Sequence, residues 1–160
     1  MRRVYNLLVV SLLVAGCSQQ PDTGPVEIRW DKEGCERCAM SVGDRNYSAQ
    51  VRGGPAETKT RVYKFDDIGC AVIWLDKQTW KDNPRTEMWV TDYRNGKWID
   101  ARQASYISGK VTPMGYGLGA QPEPAEGAMD FNAARKHIYG IENREHKHKG
   151  NHLRHMDSGN

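Results

Sequence analysis

The chain has 160 residues and a formal net charge of +3, and removing Arg2 and Arg3 from its 23 Lys+Arg leaves 21 against 20 Asp+Glu. Beyond its N-terminal segment the chain is therefore close to neutral, and no basic field points to nucleic acid. A hydrophobic content of 38%, with five Trp and seven Tyr, suffices for one core in a compact domain or two small packed halves.

The N-terminal stretch MRRVYNLLVVSLLVAGC places Arg2 and Arg3 before an apolar run over residues 7–14. That run is too short to span a bilayer as a mature helix. Leu13-Val14-Ala15-Gly16 leads directly into Cys17, an order similar to a bacterial lipobox. The similarity implies a signal peptide over residues 1–16 and acylation of Cys17. Ser18 in place of Asp points to an outer-membrane lipid anchor facing the periplasm. More than one acyl chain on that residue would hold the protein stably at a membrane. Residues 17–28 read as the lipidated tether, polar and rich in Pro and Gly in SQQPDTGPV.

Residues 29–120 carry the predicted domain. Residues 48–52 and 60–65 read as strands around the turn-rich GGPAE. Asp67 then reads as the N-cap of a helix with an apolar stripe of Ile68, Val72 and Leu75. Residues 88–93 and 97–99 read as strands flanking Arg94-Asn95-Gly96, where Asn-Gly signals a hairpin. KFDDIGCA (64–71) aligns with KWIDARQA (97–104), so Asp100 reads as a second N-cap. The helix behind it would end at Gly109, and Val111 would open a further strand. The expected fold class is α+β with antiparallel pairing, a hairpin-then-helix unit occurring twice. Residues 121–160 read as a linker followed by a His-rich tail. Within that tail a short helix over residues 132–139 is expected, and disorder beyond it.

With Cys17 lipidated, Cys35, Cys38 and Cys70 remain, an odd number for an oxidising envelope. Two of them lie in GCERCAM, residues 34–40. A thioredoxin-like Cys-x-x-Cys opens a helix, but Val42-Gly43-Asp44-Arg45 has turn character. Covalent haem needs His at position 39, which is Ala. Zinc needs further ligands at suitable spacing, and the domain has neither a second Cys-x-x-Cys nor histidines there. Soft Cu(I) suits thiolate and thioether sulfur. On an extended segment Cys38 and Met40 would project to one side. Cys35 would be a third ligand or the disulfide partner of Cys70, which reads as a structural thiol first. Met114, in the Pro- and Gly-bounded loop TPMGYG (112–117), is the further ligand to look for.

Together Cys17, Cys35-Glu36-Arg37-Cys38-Ala39-Met40, Phe65-Asp66-Asp67-Ile68-Gly69-Cys70, Trp89-Val90-Thr91-Asp92-Tyr93, Trp98-Ile99-Asp100-Ala101 and Pro113-Met114-Gly115-Tyr116-Gly117 resemble the NosL family of copper-binding lipoproteins. The resemblance covers roughly residues 30–120. It implies two related ββαβ units, like the non-catalytic part of organomercurial lyase. It implies a Cu(I) metallochaperone for the copper-sulfide centre of nitrous oxide reductase, not an enzyme. Its partners would be the apo-reductase and the associated membrane transporter. The copper site would fall on Cys38, Met40 and Met114, with Ala39 where many members have Gly. The rival reading is an envelope thiol-disulfide reductase using Cys35 and Cys38.

Overall fold

The structure, a computed structural model, describes residues 22–157. The expected signal peptide, lipobox and Cys17 lie outside the described residues. The elements in chain order are β1 (Ala49–Gly53), β2 (Arg61–Phe65), α1 (Ile68–Asp76), β3 (Glu87–Thr91), β4 (Trp98–Asp100), β5 (Ser105–Ile107), β6 (Gly119–Gln121) and α2 (Phe131–Asp157). The fold is α+β, and all strand pairs in its sheets are antiparallel. One sheet has the order β2-β1-β3-β4, and β5 pairs with β6.

The period-two alternation of β1 divides its side chains between two covered faces. Ala49 and Val51 join Phe65, Met88, Val90 and the residues of α1 in the core. Gln50 and Arg52 point the other way and are also buried, so they need polar partners. Residues 24–26 supply them. Gln50 Oε1 accepts from Val26 N at 2.8 Å and Gln50 Nε2 donates to Val26 O at 2.7 Å. Arg52 Nε donates to Gly24 O at 2.9 Å, and Gly24 N donates to Glu87 Oε2 at 2.6 Å. Val26 and Ile28 are buried with them. The part of the expected tether from about residue 24 onward therefore belongs to the folded domain.

α1 begins where its cap chemistry places it. Asp67 is extended (φ −151°, ψ 145°) and its Oδ1 accepts from Gly69 N at 2.9 Å. Ile68, Val72 and Leu75 are buried as the stripe predicts, but so are Gly69, Cys70, Ala71 and Ile73. The helix is enclosed, with the sheet on one side and α2 on another. The Asn95-Gly96 hairpin forms between β3 and β4: Gly96 has φ +72°, and Gly96 N and Asn95 N both donate to Asp92 O.

The second expected helix does not form. Asp100 does cap, its Oδ1 accepting from Arg102 N at 2.8 Å, but only a single turn follows before β5. Residues 101–107 offer a weaker apolar stripe (Ala101, Ala104, Ser105 and Ile107) than the one by which α1 packs. Instead Tyr106 is fully buried and donates to Ala101 O at 2.6 Å, holding the segment folded back. Val111 opens no strand; it is 92% exposed in the loop before β6. The C-terminal expectation is also revised, because Phe131–Asp157 is one helix. Phe131, Ala134, Ile138 and Ile141 share one face; Ala134 and Ile138 are buried, and Phe131 and Ile141 pack against the core. Asp76 of α1 accepts from Arg135 (3.0 and 2.8 Å) and from Tyr139 Oη (2.6 Å). Once docked, helix-forming residues propagate the α2 backbone past that seat.

Candidate metal centre

GCERCAM is a tight loop, not an extended segment. Gly34 and Ser41 form an antiparallel bridge. Cys35 N donates to Met40 O at 2.7 Å, and Ala39 N donates to Cys35 O at 2.9 Å. Ala39 sits at φ +62°, a left-handed conformation that favours glycine. This reversal invalidates the alternation by which Cys38 and Met40 would share one side. Glu36 N donates to Lys64 O at 2.9 Å, fastening the loop to β2 just before Asp66.

That attachment brings four donors together. The Sγ atoms of Cys35, Cys38 and Cys70 and a carboxylate oxygen of Asp66 all lie within 4.8 Å of one another, and these residues can hold a metal ion. Cys35, Cys70 and Asp66 are buried; Cys38 alone of the four is half-exposed. All three thiols are free. Cys38 Sγ donates towards Asp66 at 3.4 Å (Oδ2) and 3.6 Å (Oδ1). Cys70, read first as a structural thiol, thus stands in the cluster. Sequence reasoning missed Asp66 altogether. The available signal was its place, since Asp66 lies directly before the N-cap Asp67 and four residues before Cys70.

The sequence-predicted methionines lie on the cysteine loop and on the loop that meets the N-cap of α1. Met40 belongs to the cysteine loop and its side chain is 54% exposed. Met114 is partly buried against the core, in a loop seated on the N-cap of α1. Thr112 Oγ1 donates to Asp67 Oδ2 at 2.6 Å, and Met114 N donates to the same oxygen at 3.3 Å. Tyr116 lies flat on the first turn of α1, where a Cβ on Gly69 would come within 2.2 Å of its ring. Gly69 is therefore what allows the Met114 loop so close to Cys70.

Arg37, between the two loop cysteines, ties these segments to α2. Its Nη1 donates to Tyr116 Oη at 2.9 Å and lies 3.8 Å from Cys70 Sγ. Its Nη2 pairs with Glu142, and Tyr116 Oη donates to Glu142 Oε2 at 2.6 Å. His137 Nε2 meets Tyr116 O at 3.0 Å.

The electrostatics favour one thiolate in the cluster. The Cys70 thiol donates to Cys35, lowering the Cys35 thiol to about 6 and raising its own pKa. Burial, reinforced by its contact with Cys35, pushes Cys38 up to about 11. A metal ion binding here displaces the remaining thiol protons. Asp67 behaves differently. Burial raises it to about 6 against the opposing hydrogen bonds from Thr112, Gly69 and Met114.

Three thiols converging between a strand end, a helix start and a loop define a thiolate-rich protein site for a soft or borderline metal. Residues 25–137 match the profile of the NosL family, most of the chain, and the chain belongs to that family. No curated protein matches it. Family membership and the cysteine cluster together support copper binding.

Proposed function

We propose that the protein is a lipid-anchored Cu(I) metallochaperone that delivers copper, as cargo, for the copper-sulfide centre of nitrous oxide reductase. The observation that carries this reading is the convergence of Cys35, Cys38 and Cys70 in a chain of the NosL family. Cys38 is the thiol of the three that reaches solvent, so it is the thiolate an acceptor meets first. In this reading Cu(I) is held by Cys38, Met40 and Met114, with Cys35 behind them. Thioethers carry no charge and give little affinity to harder cations, which biases the site towards Cu(I). Transfer then proceeds by stepwise ligand exchange. The exposed Met40 yields its position to an acceptor sulfur or imidazole, and Cys38 leaves last.

The acceptor is apo-nitrous oxide reductase or the membrane transporter of its assembly machinery. The anchor at Cys17 keeps the donor at the outer membrane, on the periplasmic side. An anaerobic Cu(I) competition titration against a chromogenic chelator, followed by mixing with apo-reductase, tests the reading. Tight binding that weakens in Met40→Ala and Met114→Ala, with copper appearing in the acceptor, is expected. Indifference to both methionines would remove the thioether site, and failure of transfer would remove the chaperone role.

The low Cys35 thiol pKa favours one alternative, a thiol-disulfide reductase using Cys35 and Cys38. Against it, residues 36–38 form a turn and open no helix. Turnover that needs both cysteines and neither methionine would identify the reductase.

A further inference from the structure

One donor in the cluster has no use in a copper(I) site. Asp66 is only 2% exposed, yet among the described residues no Lys, Arg or His pairs with its carboxylate. Its side-chain hydrogen bonds are with thiols of the cluster, Cys38 and Cys35. A buried carboxylate without a cationic partner is costly, and such groups are retained when paired or when they coordinate a metal. Carboxylate oxygen is a hard donor, ill-matched to Cu(I) but acceptable to Zn(II), which takes mixed sulfur and oxygen sets.

The spacing of Cys38 and Asp66 agrees with that cation. With Zn–S of about 2.3 Å and Zn–O of about 2.0–2.2 Å at tetrahedral angles, the S···O edge is about 3.5–3.7 Å. The S···S edge is about 3.8 Å. Cys38 Sγ stands 3.4 and 3.6 Å from the two Asp66 oxygens, and all four donors lie within 4.8 Å of one another. Two come from the bridged loop and two from the β2–α1 junction, so the backbone already sets their spacing. Arg37, 3.8 Å from Cys70 Sγ, offsets part of the negative charge that three thiolates and a carboxylate leave around a divalent ion.

We propose that Cys35, Cys38, Cys70 and Asp66 form a closed tetrahedral site for Zn(II), a second metal mode of the same pocket. Zinc enters with four bonds to protein, the thiol protons still held by the cluster pass to solvent, and no electron moves. The zinc site stands on the geometry alone. Its consequence for copper rests on the proposed Cu(I) site: both modes use Cys38, so they exclude each other. Zinc closes the site, and Cu(I), preferring sulfur, displaces it and leaves Asp66 without a metal bond.

The test is an anaerobic titration of the reduced full chain with Co(II), followed by Zn(II), and separately with Cu(I), each against a chromogenic competitor. One equivalent of Co(II) should give intense tetrahedral d–d bands with thiolate charge-transfer, and Zn(II) should abolish them. Asp66→Asn should weaken Zn(II) on the order of 10–100-fold and lower the Zn:Cu(I) affinity ratio at least about tenfold. Met114→Ala should move that ratio the other way. Weak octahedral Co(II) bands, or a Zn(II) affinity indifferent to Asp66→Asn, would overturn the zinc site. Should Asp66→Asn fail to fold by circular dichroism, the count of thiolates in the Cd(II) charge-transfer band of the wild type decides: three supports the site, fewer overturns it. Simultaneous binding of both metals would overturn the exclusion. Zinc binding without Cu(I) binding would overturn the copper reading and leave the zinc site standing.

Discussion

Asp67 carries two duties through its two oxygens, capping α1 through Gly69 and holding the Met114 loop through Thr112. Burial raises it to about 6 from an ordinary 3.8. The fold thus binds its proton more tightly than the unfolded chain does. Its contribution to stability is greatest below the unfolded value and falls as pH rises from about 4 through 6. The span is at most about 3 kcal/mol. Asp67→Asn should remove this dependence, which urea unfolding of both proteins at pH 4.5 and 7.5 would reveal; parallel pH profiles would exclude it. Ala39 offers a second residue-scale prediction. At φ +62° a Cβ is strained, so Ala39→Gly should stabilise the protein by about 0.5–1 kcal/mol. The same measurement at one pH checks it.

At the scale of elements, the close packing of Tyr116 on α1 makes Gly69 sensitive. Gly69→Ala inserts a methyl group where the ring already lies, and overpacking of this kind costs about 1–3 kcal/mol. The displaced loop carries Met114, so Cu(I) affinity should fall together with the melting temperature. An unchanged affinity would separate Met114 from the site. α2 gives a matching prediction. Ile138 is fully buried, so Ile138→Ala should cost about 2–5 kcal/mol. Truncation after residue 120 should destabilise the domain rather than trim a loose tail, whereas truncation after residue 143 keeps Ala134, Ile138 and Glu142 in place. Chemical denaturation of the two truncated chains distinguishes a structural helix from an appendage.

For the whole molecule, metal and fold are linked. The four donors come from two separate stretches of chain, the loop at 35–38 and the β2–α1 junction at 66–70. Unfolding disperses them, so a bound ion stabilises the native state in proportion to its occupancy. At a free metal concentration a hundredfold above Kd the gain is about 2.7 kcal/mol. Thermal unfolding under anaerobic, reducing conditions should shift upward with Cu(I) and return when a stronger chelator is added. A melting temperature independent of metal would place the binding site outside the fold.

Much of the domain was legible because its signals are local. Asp67 caps and Asn95-Gly96 turns through contacts only a few residues away, and residues 49–53 and 61–65 pair around one short turn. The family resemblance likewise rests on short ordered motifs, and the NosL match bears it out. Local chemistry was also where the reading failed. Asp100 carries the same cap as Asp67, but a cap starts a helix without deciding whether it continues. Residues 101–107 had only the weak stripe of Ala101, Ala104, Ser105 and Ile107, and Tyr106 found its place in the core as a strand. α2 was concealed by its charge, because its stability comes from Ala134 and Ile138 meeting α1 and from Asp76 meeting Arg135 and Tyr139. By itself the sequence determined the α+β class, the first hairpin-and-helix unit and the thiols of interest. Only the tertiary structure decided that Cys70 and Asp66 join Cys35 and Cys38, since their meeting depends on the loop docking on β2 some thirty residues away.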